Sequence, residues 1–275
     1  IQYWLEAGMK EGYEGRKPDV AAVYYDGSNG SNIYSYDGSM DDYEFLEHHL
    51  LRTPYLIRDK PKVRVIGVGG GIDMFNAIKQ GARHVTGVEL QPKTVYVLKE
   101  LIRDFTGGFY DRDDVTLLAG EGRHFVRKTD EIYDMVQITA VDTFAAQSTG
   151  AYVLAESYLY TVEAQEDYFA HLTDDGLLSM MIGDVRYKDS VPPMGTRLAL
   201  NSYRALQRLG VEDPGQHIMV ISAIVPHKWS QWENILVKRS PFTLEEVQTV
   251  QRFAAANDFG ILYAPKLLAP EFFEL

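Results

Sequence analysis

The chain has 275 residues, 45% of them hydrophobic, no cysteine, and a formal net charge of −12. The missing cysteines exclude disulfides, thiolate catalysis and cysteine-ligated zinc. The acidic balance argues against a broad basic face for nucleic acid, and suits either a cationic small substrate or plain solubility. No apolar run approaches the ~20 residues of a membrane helix. The sequence starts at Ile1 without a signal-peptide pattern, so the expectation is a piece of something longer, with room for a membrane-spanning region outside it.

In chain order, residues 1–12 read as a short helix. Residues 19–25 and 32–36 carry β-formers and flank the turn signal DGSNGS, which predicts a hairpin. Residues 41–51 place Phe45, Leu46, His49 and Leu50 at helical spacing. From Val63 strands and helices alternate: strands at 63–68, 84–90, 115–120, 133–139 and 176–182, and helices at 74–81, 93–105, 122–128, 161–172 and 196–209. Two strands, 217–225 and 234–239, predict an antiparallel edge. A last helix, 244–256, opens with a capping box, Thr243 with Glu246.

This alternation predicts an α/β fold with a mostly parallel twisted sheet covered by helices on both faces. The hairpin region, 1–58, is expected to form a small N-terminal lobe before a Rossmann domain at 59–275.

The segment Val65-Ile66-Gly67-Val68-Gly69-Gly70-Gly71-Ile72-Asp73 follows a strand and opens a helix. Glycines there let the backbone turn tightly against a ligand, and the helix N-terminus offers N–H donors. The spacing is G-x-G-x-G, because residue 72 is Ile72 where a dinucleotide fingerprint needs glycine. This is the pattern of S-adenosylmethionine-binding folds. Glu89 ends the next strand, with Leu90 beside it, where a carboxylate can accept both ribose hydroxyls of an adenosine. Glu121-Gly122 follow the third strand, and Glu121 reads equally well as an adenine contact or as a first-turn acid.

Taken together, DYEFLEHH (42–49), VIGVGGG (65–71), TGVEL (86–90), AGEGRHF (119–125), YDMVQITAVD (133–142) and YLYTVEAQEDYFAHLTDDGLL (158–178) resemble the spermidine synthase family of aminopropyltransferases. The similarity spans roughly residues 20–240. The later stretch, with VKRSPFTLEEV (237–247), looks like a bacterial branch whose soluble domain follows a membrane region. The resemblance implies a donor that is S-adenosylmethionine or its decarboxylated form, a small cationic amine acceptor, and no metal. It also implies a cytoplasmic location, with inner-membrane tethering of the full protein left open, and leaves room for a homodimer.

The implied donor residues are Gly67, Gly69, Gly70, Gly71, Glu89, Leu90, Glu121, Gly122 and Thr139. The implied acceptor residues are Tyr43, Glu44, Asp73, Gln147, Tyr158 and Tyr160. Asp142 is the implied catalytic carboxylate, which would orient the amine or take its proton.

The sequence departs from the family at two carboxylates. Gly70 stands at the fourth place of the glycine loop, where the family has Asp. The family's D-x-x-D reads Thr139-Ala140-Val141-Asp142, so Thr139 replaces the first Asp. Methyl transfer on the same scaffold, and a binding domain without chemistry, therefore stand as alternatives. His48-His49 invite a metal reading, but adjacent helical residues diverge by ~100° and cannot share one face.

Overall fold

A computed structural model of the chain describes residues 8–25, 29–141, 157–185, 193–225 and 230–266. Strands β1 (Val20–Tyr25) and β2 (Asn29–Tyr34) pair antiparallel as a two-stranded sheet, as the turn signal predicts. The main sheet has eight strands in the order β10-β8-β9-β7-β6-β3-β4-β5. Here β3 is Lys62–Ile66, β4 His84–Glu89, β5 Val115–Ala119, β6 Tyr133–Thr139 and β7 Leu172–Val185. The antiparallel members are β8 (Ile218–Val225), β9 (Ser230–Lys238) and β10 (Gly260–Tyr263).

The chain reverses side at β3, whose neighbours are β4 and β6. The crevice at such a reversal, beyond the carboxyl ends of the strands, is where open α/β sheets bind ligands.

The expected antiparallel pair exists but is not a simple edge. β9 inserts between β7 and β8, and β10, which has no clear signal in the sequence, forms the rim. β7 also runs longer than read, 14 residues, because pairing with β9 extends it to Val185.

Helices α1 (Ile72–Lys79), α2 (Pro92–Tyr96), α3 (Gly122–Lys128), α4 (Val162–Ala170), α5 (Pro193–Arg208) and α6 (Leu244–Ala256) connect the strands. α6 carries the predicted capping box between Thr243 and Glu246. The single helix expected over 41–51 is instead two 3-10 turns, Asp41–His48 and Leu50–Leu56, broken by extended backbone at His49. The His49 ring accepts the Leu51 N–H, and Pro54 denies the second turn a continuous α ladder. The helix expected at 93–105 loosens into a π segment, Val97–Leu101.

Two apolar clusters lie on the two faces of the sheet. One joins the hairpin residues Ile33 and Tyr34 to α1 and α6; the other packs α4 and α5 over β6, β7 and β9. The first contains an aromatic stack, with Tyr43 4.6 Å from Phe75 and Phe75 3.8 Å from Phe109 between ring centroids. Such pairs contribute about 0.5–1.5 kcal/mol each beyond area burial, and this stack ties the Asp41–His48 turn to α1. Among the described residues no helix is long and apolar enough to cross a membrane.

Candidate donor site and the carboxylate beneath it

The glycine loop joins β3 to α1 at the carboxyl edge of the sheet. Gly71 caps α1 with φ 97°, a conformation that favours glycine. A Cβ there would lie 2.1 Å from the Tyr110 hydroxyl, which is buried without a hydrogen-bond partner among the described residues.

Glu89 closes the other side of the loop. It is 7% exposed. One carboxylate oxygen accepts the Gly69 N–H at 2.8 Å and the other accepts the Gln91 N–H at 2.9 Å. Each carboxylate oxygen has two lone pairs, so both retain capacity for a ligand hydroxyl. The glycine cradle, the Tyr110 hydroxyl and this clamped carboxylate fit an adenosine-type donor. Leu90, exposed at 55%, stands beside Glu89 where an apolar ring face could rest.

Gly70 has a different reason to be glycine. A Cβ at this position would lie 1.6 Å from the Asn32 carbonyl oxygen of β2. The hairpin backbone occupies the space that the family's Asp side chain would need.

Beneath the loop, Asp73 on the first turn of α1 is 2% exposed. It points into the sheet and not toward the loop. Its Oδ1 accepts hydrogen bonds from the Gln137 amide and, at 2.7 Å, from the Thr139 hydroxyl. The Tyr55 hydroxyl in turn donates to Gln137 Oε1 at 2.8 Å. Burial pushes the Asp73 carboxyl up to about 6, against the opposing pull of the Thr139 and Gln137 hydrogen bonds. Thr139, where the resemblance implies a carboxylate, therefore touches one supplied by α1.

The other expected residues divide. Glu121 is the N-cap of α3, its two oxygens accepting the Arg123 and His124 N–H groups at 2.6 and 2.7 Å. The Tyr158 hydroxyl bonds to the same carboxylate; burial first, then this bond, raises the Tyr158 hydroxyl above the ordinary tyrosine range. Gly122 packs on β3, where a Cβ would lie 2.3 Å from Ile66 Cγ2. The Tyr160 hydroxyl accepts the Val141 N–H at 3.1 Å and so holds the chain one residue before Asp142.

Ala140, between Thr139 and Val141, has φ 44°, a left-handed conformation costly for alanine. Asp142 and Gln147 themselves lie outside the described residues. Gly67 sits under Val141, tying the loop to the same strand end. Tyr43 is buried in the aromatic stack and donates to the Ser35 carbonyl at 2.7 Å, while Glu44 is exposed. The structure thus gathers Gly67–Gly71, Glu89, Asp73 and Thr139 at one strand-end crevice. It places Tyr43 in the core.

Sequence reasoning missed Gln137 and Tyr55, which hold Asp73. Their only signal was polarity inside otherwise apolar segments. Among the described residues no group of three or more His, Asp or Glu is placed to hold a metal ion.

No family model matches the chain. A polyamine aminopropyltransferase of Ruegeria sp. (strain TM1040) is 26% identical over 227 residues, 81% of this chain and 73% of that protein. A polyamine aminopropyltransferase of Sulfolobus acidocaldarius is 26% identical over 136 residues, 48% of this chain and 43% of that protein. A probable spermidine synthase from Corynebacterium glutamicum superposes with a TM-score of 0.53 at 17% identity, covering 94% of this chain and 90% of that one. The chain is similar to polyamine aminopropyltransferases in sequence and to a spermidine synthase in fold. The likeness to the solved structure shows the shared Rossmann-type fold. The matches cover between 32% and 54% of the first three curated relatives' own length, which leaves their activity to be tested on this spermidine synthase-like chain directly.

Proposed function

We propose that this chain transfers an aminopropyl group from decarboxylated S-adenosylmethionine to a small amine. The observation that carries the reading is the Glu89 carboxylate, clamped by the Gly69 and Gln91 N–H groups beside the glycine loop. In that position its remaining lone pairs suit the two ribose hydroxyls of the donor. The donor supplies a sulfonium carbon open to displacement. An acceptor nitrogen attacks that carbon, the N–C bond forms, the C–S bond breaks, and methylthioadenosine leaves. The proton shed by the nitrogen passes to a carboxylate, for which Asp142 is the proposed residue.

Tyr160 has a positioning role in this scheme, because its hydroxyl holds the Val141 N–H next to Asp142. Asp73 supplies negative charge against Thr139, in place of the carboxylate missing from that strand end. Tyr158, Glu44 and Gln147 remain proposed acceptor contacts. The amine is favoured by the names of the relatives and by the net charge of −12.

Two measurements test the reading. The purified chain, incubated with decarboxylated S-adenosylmethionine and a panel of diamines and polyamines, is expected to release methylthioadenosine. No turnover with any amine, or adenosylhomocysteine from the intact donor, would overturn it. Separately, Glu89→Gln is expected to weaken donor binding about 10- to 100-fold, about 1.4–2.7 kcal/mol, because the amide keeps one acceptor oxygen where the carboxylate has two. Calorimetric titration reads this, and a folded variant with unchanged affinity would remove Glu89 from the donor site.

A further inference from the structure

The amino-terminal half of the same sheet holds a feature the proposed reaction does not use. Parallel strands are usually covered on both faces and apolar throughout. β3, β4 and β5 instead alternate. Val63, Val65, Val85, Val115 and Leu117 enter the apolar cluster on one face. On the other face Arg64 lies abreast of Thr86, and Thr86 abreast of Thr116, with Lys62 abreast of His84 one step before. Helix α3 is only seven residues long, and its first residue already packs on Ile66 at the far end of β3. It leaves a cavity of about 530 Å³ lined by Lys62, Arg64, His84, Thr116, Lys128 and Glu131, among others.

Arg64 is the unusual member. It is 2% exposed. Its guanidinium lies 4.5 Å from the centre of the Tyr133 ring, and one nitrogen bonds the Tyr133 hydroxyl. Its Nε and Nη1 are buried with no hydrogen-bond partner among the described residues. The carboxylate in the lining, Glu131, is engaged with the Tyr133 hydroxyl and with Lys62 Nζ at 3.3 Å. Lys62, Arg64 and Lys128 against Glu131 leave a local positive excess in a chain of net charge −12.

We propose that this cavity binds a compact phosphate-type oxyanion, at a site separate from the donor crevice. Such an ion supplies an acceptor for the Arg64 Nη1 donors in a charge-assisted hydrogen bond. The Thr116 hydroxyl, bonded to His84 Nε2 at 3.1 Å, and the Lys128 ammonium complete a polar wall. The volume also accommodates a small phosphorylated molecule. The site lies at the amino ends of β3 to β5, and the glycine loop lies at their carboxyl ends, roughly 16 Å away along a five-residue strand. It is independent of the aminopropyl reading and stands or falls separately.

The test is calorimetric titration and thermal melting of the chain with inorganic phosphate and pyrophosphate, at ionic strength matched with sodium chloride. Saturable one-to-one binding is expected, with a melting temperature that rises and levels off. Lys128→Ala and Thr116→Val are each expected to weaken binding about tenfold, and Arg64→Met to abolish it. Should Arg64→Met fail to fold, the first two variants carry the test, since they lie at the cavity wall. Glu89→Gln is expected to leave phosphate binding unchanged. A melting temperature that follows ionic strength without saturating would overturn the proposal. So would affinity unchanged in both wall variants, or competition between phosphate and the nucleoside donor.

Discussion

Replacing Gly70 with alanine is expected to destabilise the fold by about 3 kcal/mol or more, although a methyl group is the smallest side chain that could be added. Overpacking usually costs about 1–3 kcal/mol where side chains can give way. Here the obstacle is backbone: a Cβ would sit 1.6 Å from the Asn32 carbonyl oxygen and 2.4 Å from its carbon. Relief requires the β1–β2 hairpin to move off the glycine loop. The same displacement is expected, more strongly, from Gly70→Asp, the change that would restore the family's residue. Chemical denaturation reads the stability, and amide exchange across Val20–Tyr34 reads the hairpin. A Gly70→Asp protein as stable as the parent, with hairpin amides equally protected, would show that the hairpin does not press on the loop.

Asp73→Asn is expected to act in opposite directions on stability and on activity. The Asp73 carboxyl titrates at about 6 in the fold, raised from 3.8 mainly by burial. At acid pH both folded and unfolded chains hold the proton, and the group is neutral in its effect. As pH rises from about 4 to 6 the unfolded chain releases its proton first, so stability falls, and the loss persists above pH 6. The difference corresponds to roughly 3 kcal/mol at neutral pH. Asparagine keeps an oxygen that can accept from Gln137 and Thr139, and it carries no charge to desolvate. The variant is expected to match the parent near pH 4 and to melt several degrees higher at pH 8. If Asp73 serves the acceptor, turnover falls about 100-fold or more while donor affinity stays unchanged. Equal pH dependence of melting in both proteins would refute the buried-charge account. Full activity in Asp73→Asn would take Asp73 out of the acceptor site.

Gly70 and Asp73 also mark where the chain departs from the pattern it resembles. The hairpin backbone removes the room for a carboxylate at residue 70. Thr139 removes another at the end of β6. In the first turn of α1, Asp73 brings a carboxylate to Thr139. The pairing is not visible in sequence, because 66 residues separate the two side chains.

The sequence by itself determined the features that depend on local spacing. Strand–helix alternation specified the parallel centre of the sheet, and the DGSNGS turn specified the hairpin. The capping box specified where α6 begins. The glycine loop and Glu89 were legible because a βα turn and a strand end are each a few contiguous residues whose geometry follows from their own φ/ψ demands. The tertiary structure decided what depends on distant neighbours. The insertion of β9 between β7 and β8 is a choice of pairing partner that hydropathy does not encode, and β10 exists because β8 offers an open edge. The helix expected at 41–51 yielded to the His49 and Pro54 constraints and to packing against α1. Tyr43, read as a substrate contact, went to the core because its ring completes a stack with Phe75. Arg64, inside the strand expected at 63–68, lies on a face that α3 is too short to cover. In each case local periodicity states which side chains share a face, and only the packed neighbours determine what that face meets.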